Sequence, residues 1–391
     1  MARTVPMAAP PANVFLPDRR CLVGIFHQNA PPVRKPFFIS VLGMLSMFSF
    51  GRAEEFPTNA PQVAICMPVY NSELYLPMAL DSALSQTLQE AEIICVDDGS
   101  TDGSLAILKS YAQKYPQKVT VLENGTNRGT CYSRMRAILA ARGEFILWLD
   151  SDDILFPKTA ELAYNAAIKN GADVVQFRHQ SIKFIRGEQL PKMEPLKVEE
   201  KPHVRSYLGS PLHMLSCQKI SPVVWDKLWR TKNLKEMAKR VLHFVEKCRI
   251  IKNEDNFFVW NALTKCEKCI FMNHVGIRHH TDSGLAAQNR NNMDFYRQWA
   301  EGLVKYSKFI LENEEDPEIQ KMYANWHPKV SQLGLVLRTI PLEESVRMFN
   351  EYLAAYPEEL RATVRQLVKK HSGKAQPRSP AISNHCRTGA I

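Results

Sequence analysis

Between Gln62 and Phe177 the spacing of apolar residues switches repeatedly between two periods. "QVAICMPVYN" is a short β-rich apolar run that ends at Pro68, and "SELYLPMALDSALSQ" then carries apolar residues at helical spacing. "AEIICVDDGS" predicts a second strand, stopping at Asp97 and Asp98, and "DGSLAILKSYAQKY" a second helix. "KVTVLEN" is a third strand, and "GTCYSRMRAILAARG" a third helix closed by Gly143. "EFILWL" is a fourth strand, "KTAELAYNAAIKNG" a fourth helix again closed by Gly, and "ADVVQF" a fifth strand. Strands alternating with helices of this length predict βαβ units. The expected fold is α/β, a Rossmann-like, mostly parallel sheet covered by helices on both faces.

Ligands of such sheets bind outside the carboxyl ends of the strands. The first strand ends in Pro68, Val69, Tyr70 and Asn71, and the second in Asp97, Asp98, Gly99 and Ser100. The fourth runs into Asp150, Ser151, Asp152 and Asp153. Asp and Asn at strand ends are often turn formers and helix caps, which suffices for Ser100 or Asp102. It does not suffice for two acidic clusters on one rim, because crowded carboxylates repel and raise each other's pKa. A hard divalent cation would offset that charge. No G-x-G-x-x-G follows the first strand and no G-x-x-x-x-G-K-[ST] occurs, so neither the dinucleotide fingerprint nor a P-loop is present.

"PVYN", "VDDGSTD", "NRGTCYSRMRAI" and "LDSDD", in this order and spacing, resemble family-2 glycosyltransferases of the GT-A fold. The resemblance runs from Gln62 to Phe177. It continues more weakly through "WDKLWR", Trp225–Arg230, and "NEDNFF", Asn253–Phe258, to about Gly284. It implies a nucleotide-diphospho-sugar donor, with UDP the family habit, Mn²⁺ or Mg²⁺, and a single displacement with inversion. It places Pro68, Tyr70, Asn71, Asp97, Asp98, Asn127, Arg134, Asp150 and Ser151 around the donor. Asp152 and Asp153 fall at the metal, with His279 or His280 as a further ligand. Asp255 matches the general base, with Glu254 beside it to tune its pKa. Trp225, Lys227 and Trp229 lie on the acceptor side. The expected partners are that donor and a saccharide or lipid-linked acceptor. A fold retained without chemistry, as a sugar-nucleotide-binding module, and a nucleotidyltransferase are the competing readings. The second wants a Gly-rich basic loop where "PVYNSELYL" stands.

Other patterns compete with those roles. "KNEDNFFVWNAL" also reads as a helix start, with Asn253 as cap and Glu254 and Asp255 at the positive end. Both readings hold together. Trp225, Leu228 and Trp229 stand at helical spacing, which more often marks a core-facing stripe. Cys266, Cys269, His274 and His279 come close to a zinc-knuckle spacing, yet the same segment has a strand's apolar alternation. The resemblance also implies a basic or His-containing loop here that closes on the donor phosphates, a role that Arg278, His279, His280 and Ser283 would fill.

Composition sets the outer limits. The chain has 391 residues, so domains are expected over 60–290 for the transferase and 291–371 for a helical extension. A leader over 1–59 and a disordered tail over 372–391 flank them. "FFISVLGMLSMFSF", Phe37–Phe50, is too short for a confident span and has the length of a signal core or short anchor. A net charge of +10 suits a phosphorylated ligand or an anionic membrane surface without implying nucleic acid. Cys66 and Cys95 sit in core strands, which predicts reduced thiols and a cytoplasmic setting, or the cytoplasmic face of a membrane.

Overall fold

The computed structural model describes residues 60–183, 202–206, 209–250, 252–281 and 292–372. The expectations for residues 1–59, for Ser283 and for residues 373–391 lie outside them. The described residues form nine strands and twelve helices. The first half alternates as β1 (Val63–Val69), α1 (Leu76–Leu84), β2 (Ala91–Asp97), α2 (Ser104–Lys114), β3 (Val119–Glu123), α3 (Thr130–Ala140) and β4 (Phe145–Trp148). A two-residue β5 (Ile154–Leu155), α4 (Thr159–Asn170) and β6 (Val174–Lys183) follow. Then come β7 (Val204–Ser206), α5 (Pro211–Ser216), β8 (Lys227–Arg230), α6 (Thr231–Lys247), α7 (Glu254–Leu263) and β9 (Cys269–Thr281). The last five helices are α8 (Met293–Glu312), α9 (Pro317–Val330), α10 (Leu333–Thr339), α11 (Leu342–Ala354) and α12 (Glu358–Ser372).

All strands join one mixed sheet in the order β3-β2-β1-β4-β8-β6-β9-β5, with β7 on β9. β3, β2, β1 and β4 are mutually parallel, as the βαβ alternation predicts. Every residue of β1 is buried. That explains why its sequence is continuously apolar: helices cover both faces of a parallel sheet. The sheet becomes mixed at β8, which runs antiparallel to both β4 and β6.

β8 corrects one expectation. The spacing of Trp225, Leu228 and Trp229 predicts a helical stripe, but Lys227–Arg230 is extended and pairs Trp229 with Ile146 and Val174. Pairing on both edges outweighs a three-position pattern.

α7 is buried on nearly all sides, from Asn256 to Leu263. Phe258 meets Trp148 and Trp229 of the sheet edge-on, at 5.6 and 6.0 Å between centroids. On its other side Trp260 stacks on Trp326 of α9 at 5.0 Å. A helix apolar all round must be enclosed, and here the sheet and the C-terminal helices enclose it. Its first turn, with Glu254 and Asp255, is thereby fixed above the carboxyl end of β4. Among the described residues no helix is long and apolar enough to cross a membrane.

Candidate active site

The carboxyl ends of β1, β2 and β4 meet the first turns of α3 and α7. Asp98 lies on the floor, 3% exposed. It accepts hydrogen bonds from the N–H groups of Arg128 and Gly129, both at 2.8 Å, and from the Asn124 amide at 2.7 Å. Gly129 can present its N–H because it sits at φ 94°, which other residues rarely adopt. Gly99, at φ 72°, lets the two loops touch: a Cβ there would lie 2.6 Å from the Thr126 carbonyl carbon. Asp98 therefore braces the Asn127–Gly129 loop as well as facing the cleft.

The neighbouring donor-side residues divide. Tyr70 and Asn127 line the cleft, and the buried Oδ1 of Asn127 has no partner among the described residues. Asp97 turns back to accept from Gly99 and Ser100 N–H groups, at 3.1 and 3.2 Å. Asn71 Oδ1 accepts from Thr101 N–H at 2.8 Å, joining the loops after β1 and β2. Ser151 is hydrogen-bonded to Ser72 at 2.7 Å, and Pro68 is buried within β1.

Arg134 connects the two carboxylate groups of the rim. Its side chain is 2% exposed, on the sheet-facing side of α3. Nη1 donates to Asp255 Oδ1 at 2.6 Å, and Nη2 to Asp150 Oδ1 at 3.3 Å. Burial opposes its charge, but Asp255 and Asp150 outweigh that and raise its pKa further. Asp150 is pushed up to about 6, by burial and by repulsion from Asp255 and Asp152, against the pull of Arg134. Burial and Asp255 together lift Glu254 to about 7.

Asp153 is fully buried. His280 N–H donates to it at 2.8 Å, and His279 Nδ1 stands 3.2 Å from both its oxygens. Burial lifts Asp153 to about 7. Burial disfavours the charged His279 ring, but Asp153 prevails and raises its pKa. The His280 ring meets the Asp152 carbonyl. Among the described residues no three His, Cys, Asp or Glu side chains form a ready-made metal site. The zinc pattern falls for that reason: Cys266 precedes β9 and the others are spread along it, with His274 beside Thr159 and His279 on Asp153.

The acceptor-side expectation is corrected by burial. Lys227 is 0% exposed and paired with Asp226, and Trp229 is 0% exposed with its Nε1–H on Val224 O. Neither meets a substrate. Trp225, 6% exposed, stacks on His279 at 4.5 Å and so supports the ring beside Asp153.

A cleft of about 220 Å³ is lined by Tyr70, Asp98, Asn127 and Glu254. It is also lined by Gly129 and Thr130 of the α3 start, by Arg249 and Ile250, and by Asn292, Phe295 and Gln298. Sequence reasoning missed the last two groups. Arg249 stands in an unpatterned connection, and the α8 residues lie beyond Gly284, where the resemblance ends; neither carries a local signal.

Residues 64–229 match the family model described as glycosyl transferase family 2. The chain is 39% identical over 133 residues to the poly(ribitol-phosphate) beta-glucosyltransferase of Bacillus spizizenii, covering 34% of this chain and 20% of that protein. It is 26% identical over 309 residues to the poly(ribitol-phosphate) beta-N-acetylglucosaminyltransferase TarS of Staphylococcus aureus, covering 77% of this chain and 51% of TarS. The matched stretches thus span from a fifth to about half of those relatives. The crystal structure of S. aureus TarS 1–349 in complex with UDP superposes with a TM-score of 0.55 at 21% identity, over 80% of this chain and 89% of that one. The fold is that of these GT-A glycosyltransferases.

Proposed function

From its membership, through residues 64–229, in glycosyl transferase family 2, we propose that this protein transfers a sugar from a UDP-sugar to an acceptor hydroxyl, with inversion. The observation that carries the reading is the Arg134 bridge, which holds a strand-end carboxylate and a helix-start carboxylate on one guanidinium. The Bacillus spizizenii and S. aureus relatives are named as poly(ribitol-phosphate) transferases, and TarS is known with UDP and with UDP-GlcNAc. Those relatives support a uridine donor and a saccharide or polyol-phosphate acceptor. A lipid-linked acceptor and a peripheral membrane setting fit the net charge of +10.

The reaction forms a bond from the acceptor oxygen to the anomeric carbon and breaks the bond from that carbon to the β-phosphate oxygen. The bonding pair leaves with the diphosphate. The acceptor proton passes to Asp255. Arg134 holds Oδ1 of Asp255, while among the described residues Oδ2 has only a long contact at 3.4 Å from Val224 N–H. Oδ2 is the oxygen available to take the proton. Such a positioned base contributes roughly 10²–10⁴-fold. Asn127, which lines the cleft, carries a buried Oδ1 with no hydrogen-bond partner among the described residues.

The acidic rim fits a divalent cation. Burial, and after it the neighbouring carboxylates, lift Asp150 to about 6 and Asp153 to about 7. Two carboxylates are enough for Mn²⁺ or Mg²⁺ when phosphate oxygens supply further ligands. Asp152 with Asp150 or Asp153 would hold the ion, beside His279. When bound, it neutralises charge on the departing diphosphate. Incubation with a panel of nucleotide sugars, Mn²⁺ and polyol-phosphate or saccharide acceptors tests the reading. UDP release coupled to acceptor labelling supports it. Pyrophosphate formation from a sugar phosphate and a nucleoside triphosphate, or binding without turnover, contradicts it.

A further inference from the structure

The far wall of the cleft comes from outside the matched family segment. Arg249 leaves the end of α6, and Phe295 and Gln298 project from the first turns of α8. The start of α8 is fixed by a set of contacts. Asn292 Oδ1 caps α8 by accepting from Asp294 and Phe295 N–H groups, at 3.0 and 3.3 Å. Arg297 forks onto Glu344 of α11, at 2.6 and 3.1 Å. Lys252 lies over the Trp299 ring at 5.9 Å, tying α8 to the lead-in of α7. A wall held this firmly keeps its shape before any ligand arrives, which lowers the ordering cost of binding.

Its chemistry complements a nucleotide. Phe295 is half-buried, 6.2 Å between centroids from the Trp299 ring, and gives the cleft that Tyr70 also lines an apolar surface. Gln298 is exposed and carries both a donor and an acceptor, the pair that a pyrimidine edge needs. Arg249 is exposed and makes no ion pair among the described residues, whereas the Nη atoms of Arg134 are paired with Asp255 and Asp150. A free guanidinium at a cleft mouth favours phosphate.

We infer that Arg249, Phe295 and Gln298 form a nucleotide subsite, with the base against Phe295 and the Gln298 amide and the diphosphate charge drawn to Arg249. The inference rests on the transferase reading and goes further: the helices after the family segment take part in donor recognition. They do not merely pack against it.

Calorimetry on the full chain with UDP and with uridine tests this. Phe295→Ala should weaken both ligands by roughly tenfold, as loss of one base–aromatic contact does. Gln298→Ala should weaken both several-fold. Arg249→Ala should weaken UDP by about tenfold and leave uridine unchanged, since only UDP carries the charge. Arg249 and Gln298 are exposed, so those variants keep the fold even where Phe295→Ala lowers Tm. Unchanged UDP affinity in all three, with UDP binding to the wild type intact, overturns the subsite and leaves the transferase reading standing. A wild type that binds no nucleoside diphosphate, and turns over no nucleotide sugar, overturns both.

Discussion

Arg134 Nη1 lies 2.6 Å from Asp255 Oδ1 while its Nη2 reaches Asp150, so one buried guanidinium sets the distance between the proposed base and the acidic strand end. Removing it should cost both fold and function. Arg134→Ala leaves two carboxylates facing each other; breaking such a buried pair costs up to about 3–5 kcal/mol. Arg134→Lys keeps the charge but cannot fork, so it should recover stability better than activity. Thermal melts and transfer rates measured side by side check this. Equal recovery of both by Lys would show that charge alone is needed.

Glu254 gives a pH signature. Its folded pKa of about 7 exceeds the 4.5 of an ordinary glutamate. Between those values the folded state binds more protons than the unfolded one, so stability falls as pH rises from about 4.5 to 7. Glu254→Gln should therefore raise Tm at pH 8, with the gain shrinking toward pH 4.5. A gain independent of pH would place the effect in packing and not in charge.

Gly99→Ala tests the loop contact under the cleft. The new Cβ would meet Thr126 backbone at 2.6 Å, at a residue with φ 72°. The left-handed conformation alone costs about 1–2 kcal/mol. UDP affinity should fall along with Tm, because the displaced loop carries Asn127. A Tm loss with intact UDP affinity would separate that loop from the nucleotide.

Much of this site is legible in the sequence because its parts are local. Strand ends rich in Asp, and Gly before a helix, announce the rim around Asp98, Asp150 and Gly129. The β1–β4 alternation is legible for the same reason. β8 is not, because its conformation is decided by neighbours that come from distant segments. Lys227 reads as a surface cation, yet it is buried, since Asp226 beside it supplies the counter-charge. Arg134 reads as a ligand-binding residue; its link to Asp255 spans 121 positions and only the fold brings them together. The α8 wall belongs to the same class of long-range facts.

The proposed cation can be tested without turnover. Mn²⁺ should raise Tm more in the presence of UDP than alone, since phosphate oxygens complete its shell. Asp152→Asn should weaken that joint shift, and excess chelator should abolish transfer. A joint shift of wild-type size in the variant would remove Asp152 from the metal site.

The proton-accepting role of Asp255 is tested most directly by comparing transfer with UDP binding in Asp255→Asn. The amide keeps the shape and can still accept from Arg134, but it takes up no proton at neutral pH. Transfer should fall by roughly 10²–10⁴-fold, while UDP affinity stays close to wild type, because a base acts only as the transition state forms. Transfer at the wild-type rate, with Glu254→Gln inactive instead, would contradict the assignment and move the base to Glu254.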